Sequence, residues 1–207
     1  MEITTTFDPG TRSRWRAWLH ENHAVAKEIW LLLRRDAPGS ITYLDAVEEA
    51  LCHGWIDGIA KRHGDATAQR FTPRRPRSNW TELNKERARR LIRAGQMTEA
   101  GRLSLPDLSD EEVHVPAELR ERLQATPGAW AHFEAFPPLY RRIRIGYIEE
   151  MRKRDPQEWE KRLASFIART AKNELFGNWD DSGLPRTDPI KNVDERSLPP
   201  PTRRRSG

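Results

Sequence analysis

The sequence predicts an α+β protein: a small N-terminal sheet or hairpin with packed helices, then a helical C-terminal unit and a flexible tail. Trp55 to Arg62 and Ala66 to Thr72 are strand-like runs flanking the polar break His63-Gly64-Asp65, which is a hairpin signal. From Pro116 onward, apolar residues recur at helical spacing and prolines open successive segments. From Asn178 on, Pro, Gly, Ser and charge dominate. Such a composition buries too little apolar surface to offset the entropy of ordering.

The elements follow in order. Trp15, Trp18, Leu19 and Asn22 stand at three- and four-residue steps, which predicts a helix from about Arg12 to Asn22. Ile29 to Leu33 is a continuous apolar run stopped by charge, Pro38 and Gly39, and its shortness favours a strand. Thr42 with Asp45 forms a capping box for a helix whose apolar face holds Val47, Ala50 and Leu51, and Gly54 stops it. In the first hairpin strand, Ile56, Gly58 and Ala60 are expected on one face, and Asp57, Ile59 and Lys61 on the other. Pro73 and Pro76 make TPRRPRS a loop. Ser78 is expected to cap the next helix, which ends at Gly95, and Thr98 opens a short one.

Pro106 and Pro116 bound an acidic connector. Beyond it, Leu139, Ile143, Gly146, Tyr147 and Met151 are spaced as one helix face, and Trp159, Leu163, Phe166, Ile167 and Leu175 as another. The expected division is residues 1–105, an α+β unit; 106–115, a connector; 116–177, a helical unit; and 178–207, a flexible tail. Trp15, Trp18, Trp30, Trp130 and Trp159 read as core anchors.

Eight Trp and six Phe in 207 residues argue against wholesale disorder. The N-terminus shows no basic region followed by an apolar run, and no segment has the length and apolarity of a membrane span, so a cytoplasmic chain is expected. Cys52 is the sole cysteine, which excludes an intrachain disulfide and a multi-thiolate metal site. The six histidines show no ligand spacing, and no cofactor or metal is expected. Charge is concentrated: residues 61–93 hold 11 Lys and Arg against 3 Asp and Glu, whereas residues 94–137 hold 3 against 8. A field of one sign over a small area attracts anions.

That basic stretch, from Trp55 to Gly95, is where function is expected. Arg70, Arg74, Arg75 and Arg77 offer rigid donor forks for phosphate or carboxylate. The expected ligand-binding set is Trp55, Asp57, Arg70, Arg74, Arg75, Ser78, Trp80 and Asn84, for an anionic small molecule, peptide or protein. Two alternatives compete with it. His53 and Asp57 supply an imidazole and a carboxylate for acid/base catalysis on an anionic substrate, provided that they reach a common position. The helix from Trp80 to Ala94 has an arginine-rich face, flanked by aromatics, suited to nonspecific nucleic-acid contact. The bland reading is that these arginines solvate a surface or pair with acids elsewhere.

The ordered segments ITYLDAVEEALCHGWIDG, QRFTPRRPRSNWTELN and RLIRAGQMTEAG, with RAWLHENH upstream, resemble the YdeI/OmpD-associated, or bacteriocin-protection, family. VPAELRERLQATPGAWAHFEAFPPLYRRIRIGYIEEMRKR resembles its helical C-terminal portion, so the likeness runs from Arg14 to Lys172. It implies an α+β unit followed by helices, and a role in bacterial envelope stress or antimicrobial protection. The motif positions that map here are Cys52, Gly54 to Gly58, Phe71 to Arg75, Ser78, Trp80 and Asn84. His53 stands where an aromatic is usual.

Overall fold

The computed structural model describes residues 2–34, 39–109 and 112–181. Residues from 182 on, assigned by sequence to the flexible tail, lie outside the described residues, as does Pro38. The chain divides into two compact units: Met1–Ser78 with Arg87–Leu105, and Asn79–Glu86 with the stretch from Pro106.

The first unit is built on a four-stranded mixed sheet, and its element order is β1 (Thr6–Phe7), α1 (Arg12–Asn22), β2 (Ile29–Leu33), α2 (Tyr43–Cys52), β3 (Trp55–His63) and β4 (Ala66–Pro73). The strands lie in the order β1-β2-β4-β3, with β1 parallel to β2 and the other pairs antiparallel. The expected hairpin is therefore the β3-β4 half of a larger sheet. The two-residue β1 gives too short a run for periodicity to reveal.

The continuous apolar run of β2 makes sense in this sheet. It is an inner strand, and Ile29, Trp30 and Leu31 are all buried although alternate residues point to opposite faces. Phe71 pairs with Ile29 across the sheet and meets Trp15 of α1, with ring centroids 5.4 Å apart. Trp18 then bridges to Trp55, 5.8 Å away in an edge-on arrangement. Two of the buried indoles are satisfied by backbone, Trp15 donating to the Ala46 carbonyl and Trp55 to the His23 carbonyl, each at 3.1 Å, whereas the Trp30 indole has no such partner among the described residues.

In β3 the expected alternation fails. Asp57 pairs with Phe71 and Ala60 with Gln69, leaving Gly58 and Ile59 opposite the single residue Arg70. This bulge brings Asp57 and Ala60 to the same face, because Phe71 and Gln69 are two apart on β4. Gln69 stitches the irregularity by donating to the Gly58 carbonyl at 2.7 Å.

The capping box of Thr42 and Asp45 forms as expected. Yet α2 is no simple amphipathic helix: every residue from Leu44 to Cys52 is buried, the acids included. Arg12 reaches Asp45 at 2.8 Å, Glu48 at 3.1 Å and Glu49 at 2.6 Å. Arg16 adds a second guanidinium to Glu49, and Arg90 caps Glu48 at 2.7 Å. After α2, α4 (Glu99–Leu103) lies so close that a Cβ on Gly101 would be driven into the Cys52 carbonyl.

Helix α3 (Glu82–Arg93) begins later than expected. Thr81 makes the capping contact, its hydroxyl accepting from the Asn84 amide at 3.2 Å, and Ser78 stays in the preceding loop. The first five residues of α3 fall in the second unit and the rest in the first.

The second unit adds α5 (Ala117–Ala125), α6 (Ala129–Ala135), α7 (Pro138–Glu149) and α8 (Pro156–Ala171). Their core is aromatic: Phe133, Phe136, Tyr140, Trp159 and Phe166 are buried with Leu119, Leu123 and Leu163, and Phe176 and Trp179 pack against them. Two expected faces are corrected. α7 buries Tyr140, Arg142, Arg144, Ile145 and Ile148, so of the expected stripe Leu139, Ile143, Gly146 and Tyr147 point elsewhere, while Met151 beyond the helix packs on the core. Leu175 lies beyond the end of α8 and is exposed.

Candidate functional site

Among the expected site residues, the structure gathers a smaller group around the loop after β4. Gly54, at φ +74°, turns α2 into β3, and a Cβ there would meet the Ala100 carbonyl oxygen at 2.9 Å. Its own carbonyl accepts the Arg74 amide at 2.8 Å, which pins the start of the loop. Asp57 accepts the Tyr43 hydroxyl at 2.6 Å. Arg74 is half-buried and reaches the Ser78 hydroxyl at 3.4 Å, a long and weak bond. Burial pushes the Arg74 guanidinium down to about 10, with the Asp57 charge pulling the other way. Asp57, Tyr43, Arg74 and Ser78 thus form the base of the site.

The loop closes with the Ser78 amide donating to the Arg75 carbonyl at 3.1 Å, and Arg77 sits in the left-handed region at φ +59°. Arg75 and Arg77 are exposed, and among the described residues neither has a carboxylate partner. A left-handed non-glycine residue is uncommon. Here the backbone that holds it projects two guanidiniums from one short turn.

The other expected residues lie elsewhere. Arg70 is held by Glu28, with Nε at 2.8 Å, and Glu28 is kept below the usual carboxylate range by the Thr4 hydroxyl and by Arg70 itself. Trp55 is wholly buried and its indole is spent on the His23 carbonyl, so it braces the core. Trp80 and Asn84 belong to the second unit.

His53 caps the C-terminal end of α2, buried, with Nδ1 2.9 Å from the Glu49 carbonyl and its ring beside His23. Burial lowers its pKa. Asp57, by contrast, is bound to Tyr43, the first residue of the same ten-residue helix. The helix residues that hold this imidazole and this carboxylate, Glu49 and Tyr43, are therefore six positions apart, about 9 Å along α2. Cys52 is buried, and desolvation drives its thiol pKa up, away from the nucleophilic thiolate.

The arginine-rich face of α3 is also used internally. Arg87 and Arg89 are buried and Arg90 is bound to Glu48, so much of this face is packed rather than solvated. Among the described residues, no group of three or more His, Cys, Asp or Glu is placed to hold a metal ion, and no helix is long and apolar enough to cross a membrane.

Two features escaped the sequence reading. The first is the Arg12, Arg16, Arg90 cluster with Asp45, Glu48 and Glu49. Its trace is the matched four-residue spacing of Arg12/Arg16 and Asp45/Glu49 on adjacent helices. The second is a cavity of about 600 Å³ in the second unit, walled by Trp80, Glu82, Lys85, Arg144, Tyr147 and Glu150 among others. Tyr140, Arg144 and Ile148 stand four apart, which is the one hint that an arginine lies in the buried stripe of α7.

The fold and site describe an α+β unit bearing an arginine turn, joined in one chain to an aromatic-cored helical unit, and known families match each part separately. Residues 7–104 match the model of a domain of unknown function (DUF8412). Residues 112–173 match the family described as Bacteriocin-protection, YdeI or OmpD-Associated, which indicates distant homology to it. The match is thus confined to the C-terminal part, whereas the segments around GWIDG and TPRRPRS fall under the other model. Comparison with curated proteins gave no match, and neither did comparison with solved structures.

Proposed function

We propose that this chain works by binding, without catalysis, an anionic ligand or an acidic patch on a protein partner, and that it does so at the Arg74–Ser78 turn. The observation that carries this reading is the pair of exposed arginines, Arg75 and Arg77, left without carboxylate partners among the described residues beside the half-buried Arg74. Guanidinium forks are suited to planar or tetrahedral oxyanions, and a partly desolvated charge attracts them more strongly than a fully hydrated one. The Ser78 hydroxyl adds a neutral donor. The Asp57–Tyr43 pair gives the base a fixed shape and limits the net charge. A role in envelope stress or antimicrobial protection in bacteria is what the distant YdeI/OmpD-associated homology suggests for such a binder.

The test is a heteronuclear NMR titration of the whole chain with pyrophosphate at low ionic strength. Amide shifts are expected at Arg75–Ser78, with affinity falling as salt rises. The double substitution Arg75→Ser/Arg77→Ser alters only exposed side chains and is expected to weaken binding at least tenfold without changing the fold. Equal affinity in the double variant rejects the reading.

A further inference from the structure

The helical unit contains a buried arginine that no carboxylate among the described residues neutralises, at the wall of a cavity large enough for a small molecule. Arg144 is 7% exposed. Its Nη2 donates to the Asn178 carbonyl at 3.0 Å, and its Nε, also buried, has no hydrogen-bond partner. The guanidinium lies among rings, 5.0 Å from Phe176, 5.5 Å from Tyr140 and 5.9 Å from Tyr147. Aromatic faces attract a cation but cannot replace an anion in satisfying its donors. A buried charge without a counter-ion is costly, and such sites cluster where a ligand completes them.

The cavity beside Arg144 measures about 600 Å³, within the range of small-molecule sites. One side is the stripe of α7 that turns away from the core, including Ile143, Gly146 and Tyr147. The other is Asn79–Lys85, with the Trp80 indole. A second space of about 240 Å³ shares Arg144 and Tyr147 as a common wall.

Charge accounting narrows the occupant. Glu82 is paired with Lys85 at 2.6 Å and lies 3.5 Å from Arg142, and Glu150 is paired with Arg154 at 2.9 Å. Among the described lining residues this leaves one positive charge without an acid, that of Arg144, so the wall complements a single negative charge. The flat apolar surfaces of Trp80 and Tyr147 suit a planar body.

The geometry points to a binding site for a small planar monocarboxylate, with its carboxylate on Arg144 and its ring against Trp80 and Tyr147. The Nε itself is sealed from the cavity, so the carboxylate would be taken by the outer Nη donors of the guanidinium. This site is separate from the Arg74–Ser78 turn and does not depend on it.

Gly146 supplies a clean test. It is helical and exposed, and a Cβ there would approach only the Glu82 Cγ, at 3.9 Å. Gly146→Leu therefore places a side chain in the cavity while improving the helix. The experiment titrates indole-3-carboxylate into the full chain by calorimetry, alongside the neutral indole-3-carboxamide and inorganic phosphate. The carboxylate is expected to bind at least tenfold more tightly than the amide, and phosphate to compete weakly. Gly146→Leu is expected to lose at least tenfold in affinity with an undiminished melting temperature. Arg144→Gln should bring the carboxylate down to the level of the amide, while Arg75→Ser/Arg77→Ser leaves it unchanged. Absence of carboxylate binding, equal binding of the amide, equal competition by phosphate, or undisturbed binding in Gly146→Leu would each overturn the assignment. Should Arg144→Gln not fold, the amide comparison and Gly146→Leu decide alone.

Discussion

Arg12 and Arg144 are buried to a similar degree, one in each unit, and their surroundings are opposite. Arg12 meets three carboxylates, and two further arginines share the acids. Arg144 meets three aromatic rings and a backbone carbonyl, with no carboxylate among the described residues. In the first unit the charge is answered within the fold, so it serves structure. In the second it is left open beside a cavity, which is how a fold holds a donor ready for something else.

Substituting methionine at both positions gives the strongest test of this contrast. Arg12→Met strands buried carboxylates and is expected to destabilise the first unit by about 3–5 kcal/mol, read as a lower urea midpoint. The contrast fails if Arg144→Met costs as much.

Two glycines provide the next test. Gly101→Ala forces a methyl into the Cys52 carbonyl and the Met97 sulphur, with a cost of about 1–3 kcal/mol expected from overpacking. Gly146→Ala, whose methyl meets only the Glu82 Cγ at an ordinary 3.9 Å, is expected to stabilise α7 by up to about 1 kcal/mol. Thermal melts of the two variants should therefore move in opposite directions.

Arg144→Met itself keeps most of the apolar stem and loses the cation–ring attraction, so a destabilisation of about 1 kcal/mol or less is expected in the same urea measurement. A loss several times larger would show that Arg144 supports the core and would dissolve the contrast with Arg12.

The smallest effect concerns pH. His53 is depressed below the ordinary imidazole value of 6.5 by burial, with the Glu49 carbonyl and charge opposing and His23 and His20 reinforcing. As pH falls through 6.5, the unfolded chain takes up this proton before the folded one, so stability is lost toward acid and is fully present above that value. Urea midpoints at pH 7.5 and 5.5 should show the drop, and His53→Gln should reduce it. An unchanged pH dependence in that variant assigns the loss to other groups.

Much of the secondary structure was legible because it depends on local chemistry. The Thr42–Asp45 box, the helix from Arg12 to Asn22 and the β3-β4 hairpin each follow from residues close in sequence. The part of the site that proved contiguous, Arg74 to Ser78, is likewise a single loop fixed by two prolines. The readings that changed depended on distant partners. Arg70 left the expected set because Glu28, forty-two residues away, binds it. Trp80 and Asn84 left it because Asn79–Glu86 groups with helices after Pro106. The bulge reversed Ala60 relative to Asp57, since one extra residue changes the face of everything beyond it.

By itself, the sequence determined the α+β class, the order of most elements and the concentration of positive charge between Lys61 and Arg93. Periodicity, caps and composition act over a few residues and need no tertiary partner to be read. Only the tertiary structure decided which of those charges are spent and which stay open. Whether an arginine is neutralised depends on what the fold brings within about 4 Å of it. That distance is set by packing between elements far apart in the chain. It is why Arg70 and Arg90 became structural, Arg75 and Arg77 remained exposed, and Arg144, unremarked in the sequence, came to stand at a cavity.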